Sequence, residues 1–185
     1  MTVIISMLRG VNVGGHNMVK MDALRALYLS MKLRDAQTYV QSGNVIFRTE
    51  ERDLERLGKR IQSGIERRFG FGPDVVLRTN SELRDVVARN PFAKRRDIDP
   101  KKLLVTFLAS HPGAEARKKA LAIETAPEEL RIDGRELFIY YTNGMARPKV
   151  PWMTIVKALE TTGTGRNWNS VTKLLEIAEK LEASK

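Results

Sequence analysis

The order in which two hydrophobic periodicities alternate along the first ninety residues constrains this chain most. Val3 to Leu8 is a β-rich apolar run and predicts a strand. Met21, Leu24, Leu27, Tyr28 and Met31 then recur at helical spacing. Thr38-Tyr39-Val40 and Val45-Ile46-Phe47 read as strands, joined by the turn residues Gln41-Ser42-Gly43-Asn44. Leu54, Leu57, Ile61, Ile65 and Phe69 form one stripe of a long helix, closed by Gly70, Gly72 and Pro73. Val75-Val76-Leu77 is the next strand. The order β-α-β-β-α-β is the ferredoxin-like signature. Thr79, with Glu82 at the capping-box position, predicts a short trailing helix that Asn90-Pro91 stops.

The second half repeats much of this pattern. Leu103 to Leu108 is a strand, and His111-Pro112-Gly113 leads into an alanine-rich helix. Leu130 to Ile132 and Leu137 to Tyr141 flank Asp133-Gly134, the residues of a tight hairpin turn. Pro151 opens a helix with Trp152, Ile155, Val156 and Leu159 on one face, and Gly163 and Gly165 break it. A last helix runs from about Asn169. The expectation is an α+β protein of two packed subdomains. Residues 1–90 form a ferredoxin-like unit with its trailing helix, and 91–185 a similar unit with an extra C-terminal helix. The basic stretch at about 91–102 connects them.

Composition removes several function classes. The chain has no cysteine, so disulfides, thiolate catalysis and cysteine-type metal sites are excluded. The apolar start lacks a basic lead and stops at Arg9, so it reads as a strand and not a signal peptide. No apolar run approaches the ~20 residues of a membrane helix. We therefore expect a soluble cytoplasmic protein without a membrane partner. A formal charge of +10 favours anionic partners.

His16 and His111 are the only histidines, and neither has a partner at ligand spacing, so no metal and no cofactor are expected. The serine-nucleophile motifs are absent. Gly10-Val11-Asn12-Val13-Gly14-Gly15 follows a strand as a phosphate loop would. However, His16-Asn17 stand where that motif needs Lys and Ser or Thr. The dinucleotide fingerprint is absent too. What remains is a glycine-rich loop ahead of a helix, flanked by Arg9 and Lys20, either anion-binding or simply a long turn. Gln41-Ser42-Gly43-Asn44, Arg147-Pro148-Lys149 and Gly163-Thr164-Gly165-Arg166-Asn167-Trp168-Asn169-Ser170 add donors with almost no carboxylate among them. In that last segment Asn169 could cap the final helix and Trp168 could be core.

Arg9-Gly10-Val11-Asn12-Val13-Gly14-Gly15, Gln41-Ser42-Gly43-Asn44-Val45, Asn90-Pro91-Phe92 and Arg166-Asn167-Trp168-Asn169-Ser170-Val171-Thr172-Lys173-Leu174 resemble the motifs of a widespread bacterial family, domain of unknown function 1697. The resemblance spans Met1 to about Ala178. It implies two α+β subdomains, the first ferredoxin-like, and carries no assigned activity. Pro148 stands where the family commonly has serine, and Lys20 where it often has proline.

Two functions are expected from these residues. The first is binding of a small phosphate- or carboxylate-bearing ligand, with or without catalysis. Its site would draw on Arg9, Asn12, Gly14, Gly15, His16, Gln41, Asn44, Arg166 and Asn167. The alternative is a nucleic-acid accessory protein using Lys94, Arg95, Arg96, Lys101 and Lys102. A base-stacking sheet is disfavoured, because the first strand carries no aromatic residue and the third only Phe47.

Overall fold

The computed structural model describes residues 1–146 and 150–184. The chain divides into two compact units, Met1–Arg84 with Lys173–Lys185, and Asp85–Thr172.

In the first unit the elements are β1 (Thr2–Leu8), α1 (Met21–Ser30), β2 (Arg34–Tyr39), β3 (Asn44–Thr49), α2 (Leu54–Phe69) and β4 (Val75–Thr79), followed without a break by α3 (Asn80–Ala88). The sheet is antiparallel in the order β2-β3-β1-β4. This is the ferredoxin-like arrangement that the element order implied. β1 is buried on both faces from Val3 to Leu8, which is why it reads as a continuous apolar run instead of an alternating one. Ile4, Leu8, Val45 and Phe47 of the sheet pack with Leu24 and Tyr28 of α1 and with Leu57, Ile61 and Ile65 of α2. Each such side chain, fully buried, contributes roughly 1.5–3 kcal/mol. Tyr28 meets Phe47 edge-on, with ring centroids 5.5 Å apart. Its hydroxyl is satisfied by Ser6 Oγ at 2.9 Å. Burial pushes that phenol well above its ordinary pKa.

Local chemistry fixes the ends of these elements. The Asp53 side chain accepts the Arg56 N–H and starts α2. The Thr79–Glu82 capping box forms as expected: Thr79 N–H donates to Glu82 Oε2 at 2.8 Å, and Glu82 N–H to Thr79 Oγ1 at 3.1 Å. β2 differs from expectation. It runs Arg34–Tyr39 where Thr38–Val40 was read, because a bulge between Arg34 and Gln37 hides the alternation.

The second unit contains β5 (Leu103–Leu108), α4 (Ala114–Leu121), β6 (Glu129–Asp133), β7 (Glu136–Tyr140), α5 (Trp152–Ala158) and β8 (Gly163–Asn167), followed directly by α6 (Trp168–Ala183). Its sheet order, β6-β7-β5-β8, is that of the first unit. The strand β8 is a correction. Gly163 and Gly165 end α5's region, but they also form part of a strand paired along β5. Glycine is required there by proximity. A Cβ on Gly163 would lie 2.9 Å from Thr106 Cγ2 and 3.0 Å from the Phe107 carbonyl oxygen.

The duplication extends to single residues. Arg78 on β4 faces Ile5 of β1, and Arg166 on β8 faces Val105 of β5. Both arginines are buried, and each donates Nη1 to the carbonyl of the residue before it, at 2.9 and 2.8 Å.

A division near 90/91 was expected. The units instead divide within α3 and within α6, and the last turns of α6 belong with the first unit. There Glu182 accepts from Asn80 Nδ2 at 2.7 Å, Glu179 accepts from Arg84 Nε at 3.1 Å, and Arg48 donates to the carbonyls of Leu181 and Ser184.

Candidate functional site

The connection from β1 to α1, residues 9–20, is tied down from within. Asn12 adopts the left-handed conformation, with φ 55°. Its side-chain amide donates to the carbonyls of Val19 and Gln41 at 3.0 and 2.8 Å, and its Oδ1 accepts the Val19 N–H at 2.7 Å. Asn17 Nδ2 donates to the Gly10 carbonyl at 3.0 Å. Val11 and Val19 are buried and anchor the loop to the core, while Val13 to Met18 stand in solvent. His16 N–H closes on the Val13 carbonyl at 3.0 Å, with Gly14 and Gly15 both at positive φ. This is the primed two-residue turn of a small hairpin and not an anion-cradling nest.

The β2–β3 turn meets the same loop. Leu8 N–H donates to the Gly43 carbonyl at 3.0 Å. Gly43 has φ 74°, and a Cβ there would sit 2.9 Å from Leu8 Cβ. Asn44 is buried, and its amide donates to the Tyr39 carbonyl and to Ser42 Oγ at 3.1 and 2.9 Å. Arg9 pairs with Asp74 at 3.1 Å. In the first unit, therefore, Arg9, Asn12, Gly14, Gly15, His16, Gln41 and Asn44 gather at one end of the sheet. The asparagines spend their hydrogen bonds on the loops themselves.

Beside these loops lies an open cleft of about 520 Å³, lined by Met18, Val19, Lys20, Met21, Asp22 and Gln41. Its size falls in the range of small-ligand sites. Lys20 supplies a cation, Asp22 a carboxylate, Gln41 an amide, and the two methionines adaptable apolar walls. Of these residues, sequence reasoning chose Gln41 and noted Lys20 as a flank. Met21 reads only as part of the apolar stripe of α1, and Met18 and Asp22 carry no signal of a site in the sequence.

Arg166 and Asn167 belong to the second unit. Arg166 is only 6% exposed and donates Nη1 to Thr164 Oγ1 at 2.7 Å. Burial pushes its guanidinium down to about 10, so it remains charged at neutral pH. Asn167 Oδ1 accepts the Asn169 N–H at 3.0 Å, so the capping expected of Asn169 falls to Asn167, whose amide donates to the Lys101 carbonyl at 2.9 Å. Trp168 is half-buried against Phe138, with centroids 6.5 Å apart. Arg147-Pro148-Lys149 lies outside the described residues.

The basic connection divides. Arg95 pairs with Asp97 and Glu129 at 2.6 and 2.7 Å and lies over the rings of Phe92 and Tyr140, so its charge is answered. Lys102 Nζ donates to the Thr142 carbonyl at 3.1 Å. Lys94, Arg96 and Lys101 are exposed, with no ion pair among the described residues. Among those residues, too, no three His, Asp or Glu come together as a metal site, and no helix is long and apolar enough to cross a membrane.

Two ferredoxin-like units, each trailed by a helix, with a glycine-rich loop standing over a cleft in the first, define the class of protein. The chain belongs to the family described as protein of unknown function (DUF1697), which matches residues 1–138. Among solved structures it is similar to the conserved bacterial protein SP0830 from Streptococcus pneumoniae. The TM-score is 0.73 at 19% identity, covering 96% of this chain and 98% of that one. No curated protein matches.

Proposed function

We propose that the protein binds a small organic anion in the cleft beside the β1–α1 loop. The ligand carries a phosphate or carboxylate for Lys20, an apolar portion for Met18 and Met21, and a hydroxyl or amine for Asp22 and Gln41. The observation that carries this reading is the pairing of a partly apolar cleft with the internally locked loop of the family motif. Such locking lowers the ordering cost of binding. Asn12 and Asn44 then act by holding the loops, and Gly14, Gly15 and His16 form the rim. The setting we propose is the cytoplasm.

The test is thermal shift with sugar phosphates, nucleotides and carboxylic acids. A ligand at about 100 times its Kd adds roughly 2.7 kcal/mol of stability. Lys20→Glu and Gln41→Ala should abolish the shift. No shift with any anion, or a shift that survives both substitutions, overturns the reading.

The exposed Lys94, Arg96 and Lys101 favour nucleic acid as the second reading. Against it, the charge is spread evenly. The first unit has seventeen Lys and Arg against twelve Asp and Glu, and the second fifteen against ten. Binding of short RNA or DNA that falls steeply with salt and is lost in Lys94→Glu/Arg96→Glu would support this second reading over the first.

A further inference from the structure

At the opposite end of the first sheet from the motif loops, where Thr2 pairs with Thr49, lies a pocket of about 450 Å³. Four cations reach it from four places: Lys32 just after α1, Arg34 on β2, Arg48 on β3 and Arg60 on α2. Arg34 and Arg48 stand directly opposite each other in the β2–β3 ladder. Like charges in that position destabilise a sheet. Arg48 is answered by Asp35 at 3.1 Å and by the backbone carbonyls at the end of α6. Among the described residues, the side chains of Lys32, Arg34 and Arg60 have no ion pair or hydrogen bond. Glu50 and Glu51 also line the pocket, and Glu51 is already engaged, accepting the N–H groups of Arg52 and Asp53 at 3.1 and 3.2 Å.

We infer that Lys32, Arg34 and Arg60 form a phosphate-binding site, distinct from the cleft beside the β1–α1 loop. Two guanidinium forks and an ammonium that line one pocket, and that make no ion pair with its Glu50 or Glu51 among the described residues, match the oxygens of a compact dianion. The ligand is inorganic phosphate or the terminal group of a phosphomonoester. A pocket built from separate elements suits a single phosphate better than a nucleic-acid backbone, which needs an extended track. The bound dianion would also offset the repulsion between Arg34 and Arg48.

The probes are inorganic phosphate and glycerol phosphate, titrated at constant ionic strength against chloride and followed by backbone amide NMR. Shifts should cluster at residues 32–34, 48–51 and 60. Arg34→Gln and Arg60→Gln should each weaken binding at least tenfold, on the order expected for loss of one charged hydrogen-bonding group. Both side chains are exposed, so both variants should keep the wild-type spectrum elsewhere. Lys20→Glu should leave this binding unchanged, which separates it from the cleft proposed above. Tighter binding of either probe supports the site and identifies its ligand as free or esterified phosphate. No response beyond that of chloride, shifts scattered over the chain, or wild-type affinity in both arginine variants overturns it.

Discussion

The β1–α1 and β5–α4 connections occupy the same place in two sheets of the same strand order. In the second unit the chain crosses from Leu108 to Ala114 through residues 109–113 alone. In the first it takes residues 9–20, folds a small hairpin, and ties itself to the β2–β3 turn through Asn12. The β6–β7 turn needs only Gly134 and Arg135, whereas the β2–β3 turn spans residues 40–43 and closes onto Leu8. One frame therefore carries two different ends. Scaffold needs alone are met by the short version, so the longer, internally bonded version is structure that the frame itself does not require.

That contrast can be broken most forcefully at Gly43. Gly43→Ala imposes left-handed strain and presses a Cβ into Leu8. It should cost about 2–4 kcal/mol in urea unfolding. An unchanged midpoint would show that the loop end yields and is not locked. Asn12→Ala comes next, at about 1–3 kcal/mol, because two carbonyls and an N–H lose their partner. The matching change in the second unit, Ser110→Ala in the β5–α4 connection, should cost no more than about 1 kcal/mol, because only a single exposed hydroxyl contact, to Thr161 Oγ1 at 2.9 Å, is lost. Equal losses would erase the distinction between the two ends. His16→Ala should shift stability by less than about 0.5 kcal/mol, since the hairpin tip is exposed. A larger loss would place the tip in the core and not on a rim.

The smallest effect lies at Glu176, between Lys173 at 2.8 Å and Lys180 at 2.6 Å. These ammonium groups hold its carboxyl down to about 2. A depressed carboxyl contributes stability that is complete above the ordinary carboxylate range and is lost as pH falls toward 2. The pair is exposed, so salt should screen it. Carboxyl NMR should find the midpoint rising in 1 M NaCl, roughly where the Debye length shrinks to 3 Å. A midpoint that ignores salt would mean a buried contact.

Where burial produced a pattern, the fold was legible. The unbroken run of β1 and the stripe of α2 announce themselves, and so does the Thr79–Glu82 box. The strand β8 did not, because its glycines answer to the nearness of β5 and leave no propensity signal. The candidate site was half legible. Glycine and asparagine marked the loops, but a ligand donor and a loop-bonding amide are the same residue in sequence, and Asn12 is the latter. Lys32, Arg34 and Arg60 went unread as a group because no spacing rule links a helix end, a bulged strand and a helix face.

The ownership of α6 bears on how the protein is made. Units ordinarily fold in order as they leave the ribosome, N-terminal first. Here the sheet and core of the earlier unit lie within Met1–Arg84, but the segment from Lys173 onward that packs with it follows Asp85–Thr172 in the chain. The earlier unit thus gains its ion pairs from Arg84 to Glu179 and Glu182 only after the whole of the other unit has been made, long after its own four strands are complete.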